Sequence, residues 1–187
     1  MATTKIMTKT GAYSLIEAIV VVAIIAILTA AAVVYSGNAR ESLIVSRERA
    51  NIISAIYRAK ALTVSTYNNP SIPCGYGVHI DRGLGTYVLF KDRPASCAAS
   101  SCTEADCIAS DNKYLAGSSD EVIESYTLPS DYQFAQIPNN FDILYRPPDP
   151  TAILTPPGGG SQTVKIQGPN GTGFSFKVNN AGQITIL

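Results

Sequence analysis

The chain has 187 residues, 46% of them hydrophobic, and its 14 basic residues balance its 14 acidic residues. This length allows one long helix and one globular domain of ordinary size. The charge is uneven, because the part from Ala61 onward carries seven basic and eleven acidic residues. That net charge of minus four argues against a broad nucleic-acid-binding face in the C-terminal part.

The N-terminus combines a short basic stretch with a long apolar run. Residues 1–12 carry two lysines and no acid, and residues 18–34 are almost wholly Ala, Ile, Val and Leu. As a helix, such a run rises about 30 Å, the thickness of the hydrocarbon core of a bilayer. A secretory signal has its small-residue cleavage site after the apolar region. Here Gly11 and Ala12 precede it, so cleavage at this point keeps the apolar helix as the new N-terminus.

Glu17 is the one charged residue at the start of this run. A carboxylate in an apolar helix is costly unless it lies at the interface or has a partner. Cleavage before Tyr13 would create an amino group within about one helical turn, on the same chain or on a neighbouring one. Such a pair is buried only when subunits pack side by side. A plain membrane anchor with Glu17 at the interface is the alternative interpretation.

Residues 11–17, Gly-Ala-Tyr-Ser-Leu-Ile-Glu, and the apolar run after them resemble the prepilin processing motif of type IV pilins and type II secretion pseudopilins. The resemblance implies that a prepilin peptidase cuts after Ala12 and methylates the new amine of Tyr13. It also implies that Glu17, then the fifth residue, guides assembly. The sequence departs from the pattern in two ways: Gly11 lies one place further back, and Tyr13 stands where phenylalanine is usual.

The helix is expected to continue beyond the apolar run, because no proline occurs between Tyr13 and Asn69. Val45, Ile52, Ile56 and Ala59 form one apolar stripe at helical spacing, which predicts packing on the chain's own C-terminal domain. The helix should end near Thr66. The predicted organisation is a leader at 1–12, a hydrophobic transmembrane or assembly helix at 13–39, its amphipathic continuation at 40–67 and a globular head at 68–187.

The head is predicted to be rich in β-strands, which alternate with turn residues. The predicted fold class is α+β, with a long N-terminal hydrophobic helix packed on an antiparallel β-rich head. Residues 94–117 are polar and predict a surface loop that contains cysteines. The expected strands are 75–80, 86–91, 122–128, 132–137, 141–145, 163–167, 174–178 and 184–187.

The head also loosely resembles the variable domain of the pseudopilin H and fimbrial T minor pilins. The resemblance lies in residues 59–61, in the hairpin that ends at 90–92, and in the closing residues 174–184. Gln183 stands where members of this group often have arginine. The resemblance favours a minor component of a filament over a major one.

Four cysteines, Cys74, Cys97, Cys102 and Cys107, lie in the head. An even number beyond a membrane-length run favours disulfides formed outside the cytoplasm over a metal site. If 75–80 and 86–91 form a hairpin, its register carries Cys74 to the vicinity of residues 92–93, and Cys97 is then the nearest cysteine. The preferred pairing is Cys74 with Cys97 and Cys102 with Cys107. The alternative is Cys74 with Cys107 and Cys97 with Cys102.

Motifs for catalysis are missing from the sequence: it has no G-x-S-x-G, phosphate loop, H-E-x-x-H or C-x-x-C. His79 alternates with apolar residues and is interpreted as a strand histidine with a hydrogen-bond partner. Gly75, Gly77 and the glycines at 168–173 are interpreted as turn residues. We expect no enzyme, no cofactor and no metal.

The expected function is that of a structural subunit, a minor pilin or pseudopilin, of a type IV pilus or type II secretion pseudopilus. Its expected partners are other pilin or pseudopilin subunits, the prepilin peptidase, the inner-membrane assembly machinery and, before assembly, membrane lipid. The expected location is a single pass of the inner membrane with the head outside, then the filament. The alternatives are a tip-located module that binds DNA, substrate or a surface, and a monomeric anchored domain.

Overall fold

The computed structural model describes residues 14–66, 74–93, 112–117, 120–147 and 151–187. The chain divides into two compact units, Met1–Ser42 and Leu43–Leu187. The predicted leader, residues 1–12, lies outside the described residues, and so do the chain segments that contain Cys97, Cys102 and Cys107.

One helix, α1, runs from Leu15 to Ser65 over 51 residues, and its end agrees with the predicted end near Thr66. The portion of membrane length and composition is shorter, the 19 residues Leu15–Val33. Beyond Val33, Tyr35, Ser36 and Asn38 lower the hydropathy of the helix.

The described residues of the head form nine strands in two antiparallel sheets, which confirms the α+β class at this level. Sheet A has five strands in the order β3-β2-β1-β5-β6, and sheet B has four strands in the order β4-β7-β8-β9. The strands are β1 Gly75–Asp81, β2 Thr86–Asp92, β3 Glu121–Thr127, β4 Gln133–Ala135, β5 Asn140–Tyr145, β6 Ala152–Thr155, β7 Ser161–Gln167, β8 Gly173–Asn179 and β9 Ile184–Ile186.

The main core joins the second half of α1 to the inner faces of both sheets. Ile52, Ile56 and Ala59 are fully buried there, as the apolar stripe predicted. Alternate residues of each strand face this core, for example Val78 and Ile80 of β1. Burial of these apolar side chains is the main stabilising contribution to the head.

Strand β6 was not predicted. It has only four residues and lies between two proline-rich segments, a composition that reads as a connection. Ala152 and Leu154 are nevertheless buried, and β6 pairs with β5 at one edge of sheet A. Prolines are tolerated at such an edge, because they interrupt no ladder hydrogen bonds on the outer side.

The interpretation of Gly75 and Gly77 as turn residues was wrong, because both lie inside β1. A Cβ atom on Gly77 would lie 2.7 Å from the ring of Phe90 and 2.8 Å from the carbonyl oxygen of Ile143. A Cβ atom on Gly75 would lie 2.3 Å from the carbonyl oxygen of Tyr145. Glycine is required here so that the neighbouring strand and the Phe90 ring can approach closely.

Candidate functional site

Ser14 forms the start of the helix and caps it. Its side-chain oxygen accepts a hydrogen bond from the backbone N–H of Glu17 at 3.3 Å. Its carbonyl oxygen accepts bonds from the N–H groups of Glu17 and Ala18. The spacing Ser-x-x-Glu is that of a capping box, in which the acid occupies the third helical position. Ser14 was not predicted from the sequence as a site residue, although the Ser-x-x-Glu spacing was visible there.

Glu17 therefore lies in the first turn of α1, where the positive end of the helix dipole stabilises a carboxylate. The site residue predicted for assembly is thus placed at the membrane-length segment's N-terminal end. Gly11, Ala12 and Tyr13 lie outside the described residues, so cleavage and methylation remain predictions.

The segment Leu15–Val33 exposes its apolar side chains, none of which is buried within the structure. Ile16 and Leu28, for example, are 71% and 63% exposed. Thr29 is, with Glu17, one of two polar side chains in the segment, and its hydroxyl donates to the carbonyl oxygen of Ile25 at 2.7 Å. An internally bonded hydroxyl suits an apolar surrounding. The segment could span a membrane by its length and composition.

The hairpin β1–β2 has the register that was predicted near Cys74. Gly75 lies opposite Asp92, and the N–H of Cys74 donates to the carbonyl oxygen of Asp92 at 3.0 Å. Cys74 is buried, and the described part of the chain contains no free cysteine. The pairing of the four cysteines stays a prediction, since the other three lie outside the described residues.

His79 and Asp142 form a buried pair on the outer face of sheet A, on adjacent strands β1 and β5. The Nδ1 atom of His79 lies 2.7 Å from an oxygen of Asp142. The ring of Tyr114 packs on the imidazole with its centroid at 4.8 Å. Both members of the pair are more than 90% buried. The strand histidine thus has the partner that was expected, and its enclosure suits a role in packing.

Residues 112–117, here named the docked segment, cover part of this outer face. The N–H of Tyr114 donates to the same oxygen of Asp142 at 3.4 Å, and its ring also packs near Phe90. A guanidinium nitrogen of Arg146 donates to the side-chain oxygen of Asn112 at 2.5 Å. The end of the predicted cysteine loop is therefore fixed on the sheet by both polar and apolar contacts.

Asp120 fixes the two sides of the cysteine loop with one carboxylate. One of its oxygens accepts from the N–H of Arg93 at 3.0 Å, directly after β2. The other accepts from the N–H of Leu115 at 2.9 Å, within the docked segment. Charge-assisted bonds of this kind are stronger than bonds between neutral groups.

A second polar group links α1 to the edge strand β3. Arg58 forms an ion pair with Glu124, and the hydroxyl of Tyr126 donates to the same carboxylate. These two donors, Tyr126 first, hold the pKa of Glu124 below its ordinary value. The bond to Glu124, together with burial, raises the pKa of Tyr126. The carboxylate is partly exposed, so the pair orients the strand more than it stabilises the head.

Glu48 is a buried acid on α1, only 6% exposed. Burial, with the charge of Glu48 as the second cause, raises the pKa of Tyr87 well above its ordinary value. Acid, histidine and cysteine side chains form no group of three that could hold a metal ion within the described residues.

The exposed apolar segment Leu15–Val33, with Ser14 and Glu17 at its start, is the best candidate for a functional site. Its apolar side chains require lipid or other protein around them. No protein-family model, no curated protein and no solved structure matches this chain.

Proposed function

We propose that this protein is a type IV pilin-like subunit, a minor pilin or pseudopilin, that assembles through its N-terminal helix after a leader has been removed. One observation carries the proposal: a helical segment of membrane length exposes all of its apolar side chains and holds one acid, Glu17, in its first turn. The resemblance of residues 11–17 to a prepilin processing motif supports the same function.

In the proposed assembly, contacts of the N-terminal helix with lipid are replaced by contacts with neighbouring subunits. Before assembly, lipid covers the segment Leu15–Val33, which rises about 28 Å as a helix and so matches a bilayer. In the filament, the same side chains pack against segments of neighbouring subunits. The carboxylate of Glu17 accepts a hydrogen bond from the new N-terminal ammonium group of Tyr13 on a neighbouring subunit. This ion pair gives both buried charges a partner.

The head stays outside the cytoplasm in this proposal, where its cysteines form disulfides. Its two sheets are a compact body that the helix carries. The subunit acts through binding to other subunits and has no catalytic step. The peptidase and the inner-membrane assembly machinery are its proposed partners.

Leader processing tests this function directly. Protein extracted from the membranes of the native host should begin at Tyr13, with a methylated amine, because the small residues Gly11 and Ala12 precede the apolar segment. Intact mass and N-terminal sequencing give the answer, and the Ala12→Arg variant, with a bulky charge before the bond, should stay uncut. Retention of Met1 in membrane-extracted protein would refute the proposal and favour a monomeric anchor.

A further inference from the structure

One end of sheet B carries an open polar cavity of about 320 Å³. The turn before β7 and the ends of β8 and β9 form its walls. Its lining consists of Gly159, Gly160, Ser161, Lys177, Asn179, Gln183 and Thr185.

The glycine turn before β7 contributes Gly159, Gly160 and Ser161 to the lining of this cavity. The N–H of Ser161 donates to the carbonyl oxygen of Gly158 at 3.0 Å and closes the turn. The two central glycines have φ values of 50° and 89°, as in a type I′ turn. Their own N–H groups have no backbone acceptor in the described part of the chain. Successive N–H groups of this kind form concave sites that attract anions.

The side chains of the cavity add further donors. Lys177 is exposed and makes no ion pair with any described residue. The side-chain oxygens of Asn179 and Gln183 already accept bonds, from the N–H of Gln183 at 2.9 Å and from the amide of Asn179 at 3.0 Å. The hydroxyls of Ser161 and Thr185 add two further groups that can donate a hydrogen bond.

The charge of sheet B also favours the binding of an anion. Its four strands contain no Asp or Glu, and residues 151–187 carry two lysines, Lys165 and Lys177, as their only charged side chains. All eleven acids of the head precede residue 151. The acids therefore repel an anion from other parts of the head, whereas sheet B attracts it.

We propose that this cavity binds a phosphate group carried on a larger polar molecule. The phosphate oxygens accept from the N–H groups of Gly159 and Gly160 and pair with the ammonium group of Lys177. The remaining volume takes a hydroxylated part of the ligand next to Gln183 and Thr185. This site belongs to the head alone and does not depend on the proposed assembly of the helix.

The test uses the full chain in neutral detergent micelles and NMR of its backbone amides at constant ionic strength. Inorganic phosphate, glucose 6-phosphate and glucose are titrated separately, with chloride as the anion control. The signals of Gly159 and Gly160 should shift and saturate with both phosphates, and glucose 6-phosphate should bind more tightly. Micelles doped with phosphatidylglycerol show whether a lipid headgroup fills the site instead, which would overturn the assignment to a soluble ligand.

Two lysine variants distinguish specific phosphate binding in the cavity from a general attraction of anions to sheet B. Lys177→Gln should weaken phosphate binding about tenfold, the loss expected for one charge-assisted bond. Lys165→Gln, on the same face of sheet B but outside the cavity lining, should change it less than twofold. Equal losses in both variants, an unchanged affinity in Lys177→Gln, or shifts that do not saturate would each overturn the proposal.

Discussion

Two neighbouring residues, Ser14 and Glu17, have different parts at the start of the helix. Ser14 closes the helix end by accepting the N–H of Glu17. Glu17 contributes a charge at a place where an apolar surrounding makes an unpaired charge costly. Ser14 therefore stabilises the start of the helix within its own chain, whereas the proposed role of Glu17 depends on a partner from a neighbouring subunit.

Substitutions at these two positions separate the roles. Glu17→Ala should remain in the membrane, because the segment becomes more apolar, and filament incorporation should fall tenfold or more with the loss of a buried partner. Filament incorporation of Glu17→Gln should fall by a similar factor, because this variant keeps the capping geometry and loses the charge. Immunoblots of sheared filaments and of membranes measure the two pools.

Ser14→Ala is the matched control for this experiment. It removes a cap worth about 1 kcal/mol and should leave incorporation within about twofold, because lipid and neighbours hold the rest of the helix. Normal incorporation of Glu17→Ala would contradict the proposed pairing between subunits.

Local sequence patterns predicted some of these residues and missed others. Glu17 stood out because a charge in an apolar run is visible without a structure. The partner of His79 was not predictable, because Asp142 lies 63 residues away and only strand pairing brings the two together. The role of Gly77 inside β1 likewise depends on the position of the Phe90 ring, which no local pattern shows.

Elements were predicted more completely than residues. The end of α1, the β1–β2 hairpin and the position of most strands followed from periodicity and turn residues. β6 escaped detection, because four residues between prolines carry too short a pattern. The polar cavity also escaped, because it forms only where the turn before β7 meets the ends of two other strands.

The apolar stripe on the second half of α1 predicts that substitutions at buried and at exposed positions of this helix differ strongly in their effect on stability. Ile56→Ala should lower the free energy of unfolding by about 2–5 kcal/mol, because it leaves a cavity against both sheets. This corresponds to a decrease in Tm of roughly 5–15 °C for a domain of this size. Thermal unfolding of the full chain in detergent, followed by circular dichroism, measures it.

Leu43→Ala is the matched control on the same helix. It removes the same number of carbon atoms from a side chain that is 71% exposed. Its effect should stay within about 0.5 kcal/mol of zero. If the two variants lose equal stability, the core does not depend on the packing of α1 against the sheets.

In the whole molecule, an exposed apolar helical segment, Leu15–Val33, precedes a head that has its own hydrophobic core. The predicted disulfides depend on the compartment in which the head resides. The register that places Gly75 opposite Asp92 brings Cys74 to the start of the chain segment that contains Cys97. Cys74–Cys97 with Cys102–Cys107 stays the preferred prediction, and Cys74–Cys107 with Cys97–Cys102 stays the alternative.

Peptide mapping without reduction, on protein from the native envelope, should recover those two linked pairs. Reduction should destabilise the head by roughly 3 kcal/mol if the link between Cys74 and Cys97 is intact, because it restores freedom to the unfolded chain. Recovery of Cys74 linked to Cys107 would establish the alternative pairing. Four free thiols would place the head inside the cytoplasm and contradict the proposed topology.

The carboxylate of Asp120 makes the head suitable for carrying foreign sequence. It holds Arg93 and Leu115 together, so the sheet does not depend on the length of the chain between these two anchors. The entropic cost of a longer connection rises only with the logarithm of its length, by about 0.6 kcal/mol for each doubling. A short peptide inserted within residues 94–111 should therefore cost the head little stability, and thermal unfolding of the insertion variant would measure that cost.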